Sequence, residues 1–450
     1  MEKKTFILLA SAVLLTSAIR QSYAACPVNG NRYTCENQTN AMLGAGAKTN
    51  SAAITINQNA TLNGGGNPAI SVGDNNAINV SGTVTNSPSG SRGGLSGYPG
   101  TGPNTIEAQN NTVINIDKTG KVIVNGNNNM AEAINVMGYG NTIVNNGMIS
   151  ASATAAIWFQ DTQSGTRNNV VNYGVIQRPG GGNVIGTSGG NGIRFENNTG
   201  GRVEGDLQFS RGDDDLFFYA GSEVTGNING GGGTNNLTLD GQQGSLDSLR
   251  GDIKNFTMLT KSGAGRWDVS GSLEGFNRVA VDQGTLGLSG NNDGFSGQLI
   301  INPEGNNDAG ATVEARAQSL PTNSLKTGNN DNVINNGTLI LVQPDDGSYV
   351  GQIVGSGQVI KQGEGVLTMT PEAMDGNTYS GGTTITQGTI AIADDSALGG
   401  ASGALHFDGG VLTINDSLNL SAERAVTLAA GGGTFDPNGH DSTIAQEMSG

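Results

Sequence analysis

Apolar and polar residues alternate along this chain in runs too short to be helices. The clearest example lies between Gly355 and Gly399. Val359 and Ile360 lead into Lys361 and a Gly363-Glu364-Gly365 turn, and Val366 to Thr370 follows. After Asn377-Thr378-Tyr379-Ser380-Gly381-Gly382 come Thr383 to Thr386, then Gln387-Gly388, then Thr389 to Ala393. Each run has the period of two that marks a strand, and none reaches the length of about ten residues that a helix needs. Glycine closes each run because it alone enters the positive-φ corners of tight turns without steric cost.

A looser version of the pattern runs from Ile54 to about Ile340. Its unit is an apolar pair, then Asn-Gly or a close variant, then a β-branched pair. Ile143-Val144-Asn145-Asn146-Gly147-Met148-Ile149 and Val333-Ile334-Asn335-Asn336-Gly337-Thr338-Leu339 are examples. An Asn-Gly pair between strands suits a hairpin, but its repetition at this period favours a corner between successive strands of one coil. The fold expected is all-β, a right-handed parallel β-helix. At about 20–25 residues per coil and about 4.8 Å per coil it would have about 17–20 coils and a length near 85 Å. The expected divisions are an N-terminal cap over 25–50, a β-helix with Asn-Gly corners over 51–258, and a second stretch over 259–450. The apolar run Leu216-Phe217-Phe218-Tyr219 is expected inside a coil, and the Gly/Ser/Pro segment Ser87 to Pro103 is expected to project from the rod.

Composition narrows the function. Of 450 residues 74 are glycine, only 13% are charged and 5% aromatic. The clustering of apolar residues in strand-length runs favours a solenoid over low-complexity disorder. A net charge of −16 argues against a nucleic-acid partner and against adsorption to anionic lipid.

Met1 to Ala24 has the form of a secretory signal peptide. Lys3 and Lys4 precede an apolar stretch from Phe6 to Ala18 that is too short to span a bilayer, and small residues before the junction predict cleavage between Ala24 and Ala25. A lipoprotein signal would instead make Cys26 the first residue, but Tyr23 stands where such signals prefer leucine. Cys26 and Cys35 are the only cysteines, and in an oxidising compartment a small disulfide loop is expected between them. Such a segment would cover the first coil, whose edge is otherwise unpaired.

The ordered residues of the C-terminal stretch carry a family resemblance. Lys361, Gly363, Gly365, Asn377, Tyr379, Gly381, Gly382 and Gly388, with Ala397-Leu398-Gly399 after them, resemble the passenger-associated repeat of Gram-negative autotransporters. Pro371 to Asp375 departs from that pattern and lengthens one turn. Lys261-Ser262-Gly263-Ala264-Gly265 opens an earlier, degenerate copy to about Leu320, and Ala391 to Gly450 begins another round. The resemblance implies a β-helical passenger exported through the periplasm and displayed on the outer membrane or secreted. It implies an adhesin or virulence role, host-cell or neighbouring-cell receptors as partners, and an outer-membrane β-barrel encoded downstream. It also implies repeats that assist translocation and folding. The chain stops inside a repeat, and no region of it has the alternating strands and aromatic girdles of such a barrel.

Catalysis finds little footing. His406 and His440 lie within strand-and-turn repeats, and Gly186-Thr187-Ser188 is expected to be a turn and not part of a triad. Asp345-Asp346 and Asp394-Asp395 are expected as solvated turn residues. No cofactor is expected. Calcium stays open, because Gly230 to Thr238 follows a calcium-binding nonapeptide except that Asn235 replaces its aspartate, with Gly212 to Leu216 a second partial match. Arg211-Gly212-Asp213 is a possible integrin-type tripeptide. The rival readings are a secreted β-helix enzyme acting on polysaccharide, a two-partner-secretion exoprotein and a calcium-dependent biofilm protein. The first would gather carboxylates on one solvent face.

Overall fold

The period-two runs become parallel strands stacked coil upon coil. The structure, a computed structural model, describes residues 26–90, 102–160, 165–292, 294–303, 310–322, 331–445 and 448–450. The signal peptide with Ala24 and Ala25, and most of the Ser87 to Pro103 segment, lie outside them. About 17 turns form a β-solenoid, about 80 Å long at the usual strand spacing.

Three faces wall the rod. The first is a 15-stranded sheet from Val28–Asn29 to Gln352–Val354. The second is an 8-stranded sheet ending at Glu223–Val224, followed by a 10-stranded sheet that begins at Leu246–Leu249. The third is a 10-stranded sheet ending at Leu273–Glu274, and a 5-stranded sheet resumes that side at Gly347–Tyr349. Phe256 and Phe276, just past the last two strands of the sheet that ends at Leu273–Glu274, stack with centroids 5.9 Å apart, and Phe295, in the strandless stretch beyond, meets Phe276 edge-on at 6.4 Å. Within that stretch Asn292 Nδ2 donates to Ser319 O at 2.8 Å.

Register puts like beside like. On the first face Ile54, Ile78, Ile114, Ile143 and Val170 lie in one continuous row, each buried. Truncating one such side chain to alanine removes apolar contact on both neighbouring coils, a cost of about 2–5 kcal/mol. The Asn-Gly pairs sit at corners: Thr142–Asn145 and Met148–Ala151 belong to different faces, with Asn146-Gly147 between them.

At the N-terminal end Val28–Asn29 and Arg32–Cys35 form an antiparallel hairpin, and Arg32–Cys35 then pairs in parallel with Ala53–Ile56. A disulfide joins Cys26 to Cys35. Reducing it should lower unfolding stability by about 2–3 kcal/mol. Hydrogen exchange should show the loss confined to the hairpin and the first coil. Equal loss along the whole rod would contradict nearest-neighbour stacking.

Three sequence expectations need correction. Leu216 and Phe218 point inward, but Phe217 and Tyr219 face outward, because Asp215–Tyr219 is one strand and its side chains alternate. Gly186 and Thr187 are not in a turn but within the strand Asn183–Thr187. There Gly186 makes room for Trp158 of the preceding coil, whose ring would lie 2.5 Å from any Cβ. Asp395 is not simply solvated, since it pairs with the fully buried Arg424.

Candidate functional site

The repeat between Val359 and Leu398 is where the sequence is most ordered, and Lys361, Asn377, Tyr379 and Thr383 turn inward there. Lys361 lies on Gln358–Gln362, where alternation buries Val359 and Lys361 together. Its Nζ donates to the carbonyls of Gln362, Gly363 and Gln387 at 3.0, 2.6 and 3.2 Å. Gly363, with φ +81°, turns the chain at that corner. Gly365 and Gly388 are required by close stacking, since a Cβ on either would come within 2.3 Å of a carbonyl oxygen of the preceding coil. Burial pushes the Lys361 ammonium down to about 8. Lys261 repeats the arrangement, donating to Ser262 O, Gly263 O and Gln283 O at 2.6, 2.7 and 3.0 Å, and burial again brings it to about 8. The Lys-x-Gly-x-Gly spacing thus spells a latch. A cation inside the corner supplies the turn carbonyls of Gly363 and Gln387 with a donor, and adds to the backbone bond that Gln362 O already accepts from Gln343 N.

Asn377 staples three coils. Its Oδ1 accepts from Ile353 N at 2.8 Å and its Nδ2 donates to Ala397 O at 2.9 Å. Tyr379 is fully buried, with its hydroxyl 2.6 Å from Thr383 Oγ1, which donates to Leu398 O at 3.0 Å. Burial raises the Tyr379 phenol to about 12. Gly381 passes so close to Gly357 that a Cβ would lie 2.5 Å from its carbonyl, and Gly382 takes φ +83°.

Arg424, which sequence reasoning missed, completes the stack from the next coil. Its Nε and Nη2 grip Asp395 Oδ1 and Oδ2, both at 2.9 Å. Its remaining donors reach the carbonyls of Asp395, Leu398, Gly399 and Gly403 at 2.7–3.2 Å. No spacing signals this pair, because 29 residues separate its members.

Upstream, asparagines do the same work. Asn145, Asn172 and Asn197 form a ladder with amide contacts of 2.8 Å at each step. In a second column Asn141, Asn168, Asn235 and Asn377 accept backbone N–H groups from a neighbouring coil. Asp214 occupies an equivalent place there. Its Oδ1 accepts from Ile193 N at 2.6 Å, its Oδ2 has no hydrogen-bond partner, and burial raises it to about 7. The folded chain therefore keeps a proton that the unfolded chain, near pKa 3.8, has lost. Its contribution is full below about pH 4 and is lost as pH rises through about 7. Asp214→Asn should raise stability at pH 8 by about 2–4 kcal/mol and flatten this part of the pH dependence. Urea unfolding at pH 5 and 8 checks it.

The remaining candidates do not converge. Arg211 and Asp213 are exposed but Gly212 is buried, with Asn191 backbone 2.4 Å from any Cβ. Asp213 Oδ1 accepts from Thr234 N at 2.7 Å, so the tripeptide lies along a corner with its carboxylate engaged by the next coil. Asn235 is buried, and its Nδ2 donates to the carbonyls of Gly230, Gly232 and Asn255 at 3.0–3.1 Å, placing an amide nitrogen inside that carbonyl cradle. Among the described residues no three His, Cys, Asp or Glu side chains gather as a metal site would require. His406 Nδ1 lies 2.5 Å from Thr427 Oγ1 on the next strand. Glu107 and Glu132 do come near each other, but both are enclosed. Glu107 accepts from Ser71 Oγ and Asn104 Nδ2, Glu132 accepts from Asn135 Nδ2, and burial raises Glu132 to about 7.

Comparison with known proteins gives three findings. Residues 359–392 match the passenger-associated-transport-repeat. The chain is 33% identical over 156 residues to the adhesin BmaC autotransporter of Brucella suis biovar 1 (strain 1330), covering 34% of this chain and 4% of that protein. It is 32% identical over 201 residues to the uncharacterized lipoprotein YdeK of Escherichia coli (strain K12), covering 44% of this chain and 13% of that protein. The chain thus spans a small share of either relative. No solved structure matches it.

Proposed function

We propose that this chain is a segment of an autotransporter passenger, a reading its repeat and its solenoid support, and that it forms the stalk of a surface-displayed or secreted adhesin. The observation that carries this reading is the latched repeat. Lys361, Asn377, Tyr379 and Arg424 spend their polar groups on holding coil to coil, and so leave a rigid rod with its loops and outer faces free for contact. The work proposed is mechanical and adhesive, not catalytic. The likeness to an adhesin autotransporter supports it.

On this reading the rod crosses the outer membrane unfolded, through a β-barrel encoded in the same gene, and coils add one by one outside. Each new coil supplies a carbonyl to the cation or amide already turned inward on the last, as Gln387 O does for Lys361 and Ala397 O for Asn377, so stacking proceeds without a distant partner. Receptors on host cells or neighbouring cells would meet the outer faces.

The test is display. The chain, joined to a barrel and expressed on a non-adherent Gram-negative cell, should increase attachment to epithelial cells or between the bacteria. Cells that display it, as surface antibody staining establishes, and gain neither kind of attachment would defeat the adhesive role.

A further inference from the structure

One strip of the first face differs from the rest of the rod. Tyr173 is 47% exposed and is the one exposed aromatic side chain among the described residues. In register it is followed by Asn198 on the next coil and by Tyr219 on the one after, because Asn172, Asn197 and Phe218 are aligned. The two tyrosines are therefore two coils apart, about 10 Å. Beside them lies a pair suited to hydroxyls, Arg194 Nε and Glu196 Oε1, 2.6 Å apart and each partly exposed. Phe217 is half-buried next to Tyr219, with the Arg194 guanidinium 4.1 Å above its ring centre.

We propose that this strip binds a neutral, linear, β-linked oligosaccharide laid along the rod axis, with one sugar ring stacked on Tyr173 and another on Tyr219. The proposal rests on the adhesive reading and names its ligand. Aromatic faces attract the C–H face of a sugar because the ring quadrupole is negative there. The coil step sets the ring spacing, and rings two apart in an extended β-linked chain repeat at a similar distance. Charge selects a neutral ligand: the strip's Arg194–Glu196 pair is self-compensated, and a chain of net charge −16 repels polyanions. A protein partner fits less well, since a stable protein interface needs about 800 Å² per side and this strip is one strand wide.

The test uses the purified chain with cellotetraose, chitotetraose and β-1,4-mannotetraose as probes, and heparin as the anionic control. At least one neutral tetrasaccharide should bind in calorimetric titration. Tyr173→Ala and Tyr219→Ala should each weaken it by about tenfold and the double variant should abolish it, whereas Tyr→Phe at either position should stay within about threefold. An unchanged thermal melt of the variants shows the rod intact. The proposal is overturned if no neutral probe binds, if heparin alone binds, if the double alanine variant binds undiminished, or if the strip instead mediates self-association in sedimentation. Attachment by displaying cells separates the two readings. Attachment that survives the double variant keeps the adhesin and removes this site. Probe binding without any attachment keeps the site and removes the adhesin.

Discussion

Arg424→Met is expected to strip the last coils from the rod. The methionine refills the space of the stem but returns none of the donors. Asp395 loses a bidentate partner, and the carbonyls of Gly399 and Gly403 are left without one in a place where arginine had excluded water, while Leu398 O keeps only the Thr383 hydroxyl. Removing one member of a buried pair costs about 3–5 kcal/mol, mostly through the group left behind. Asp395 is 19% exposed and partly rehydrates, which sets the estimate toward the lower end. Because coils contact only their neighbours, the loss should stay local. Hydrogen exchange should show protection lost across residues 395–428 and kept at Thr142–Asn145 and Asn168–Asn172. Asp395→Asn in the same chain should restore part of it, since both charges are then gone.

Lys361→Met is the second large effect. The carbonyls of Gly363 and Gln387 lose their donor, at about 1–3 kcal/mol each, while Gln362 O keeps the N–H of Gln343, and the relief of no longer burying an ammonium offsets part of this, leaving about 2 kcal/mol at pH 7. The pH dependence identifies the cause. The folded-state value is near 8 and the unfolded one is 10.5, so between them the unfolded chain binds the extra proton and wild-type stability rises with pH. That rise should shrink in Lys361→Met, and it should vanish when Lys261→Met is added. Denaturant unfolding between pH 7 and 10.5 reads both. A variant as stable as wild type with an unaltered pH profile would mean the latch carries no weight.

How much of this was legible follows from how local each feature is. The strands were readable because burial imposes a period of two, and the corners at Asn145-Asn146-Gly147 and Asn335-Asn336-Gly337 because turn chemistry sits in neighbouring residues. Lys361, Gly363 and Gly365 could be picked out as a pattern, but their purpose could not. The lysine's third acceptor is Gln387 O on the following coil, and nothing in spacing alone turns a charged side chain inward. Arg424 and Asp395 were invisible for the same reason, carried further. Leu216 to Tyr219 misled because four consecutive apolar residues mask the alternation that Asp215–Tyr219 obeys. Gly186 misled because glycine marks turns more often than it marks room for a neighbour such as Trp158.

Distances along one outer row test the central claim most directly. Ala77, Asn236 and Gln298 share that row, with Asn236 six strands and Gln298 nine strands beyond Ala77. The native cysteines are bonded to each other, so cysteines introduced at these positions take spin labels alone. Pulsed electron resonance should give about 29 Å for Ala77 to Asn236 and about 43 Å for Ala77 to Gln298, in the ratio of two to three. Broad distributions, or a second distance no longer than the first, would mean that the chain does not stack as one column of coils.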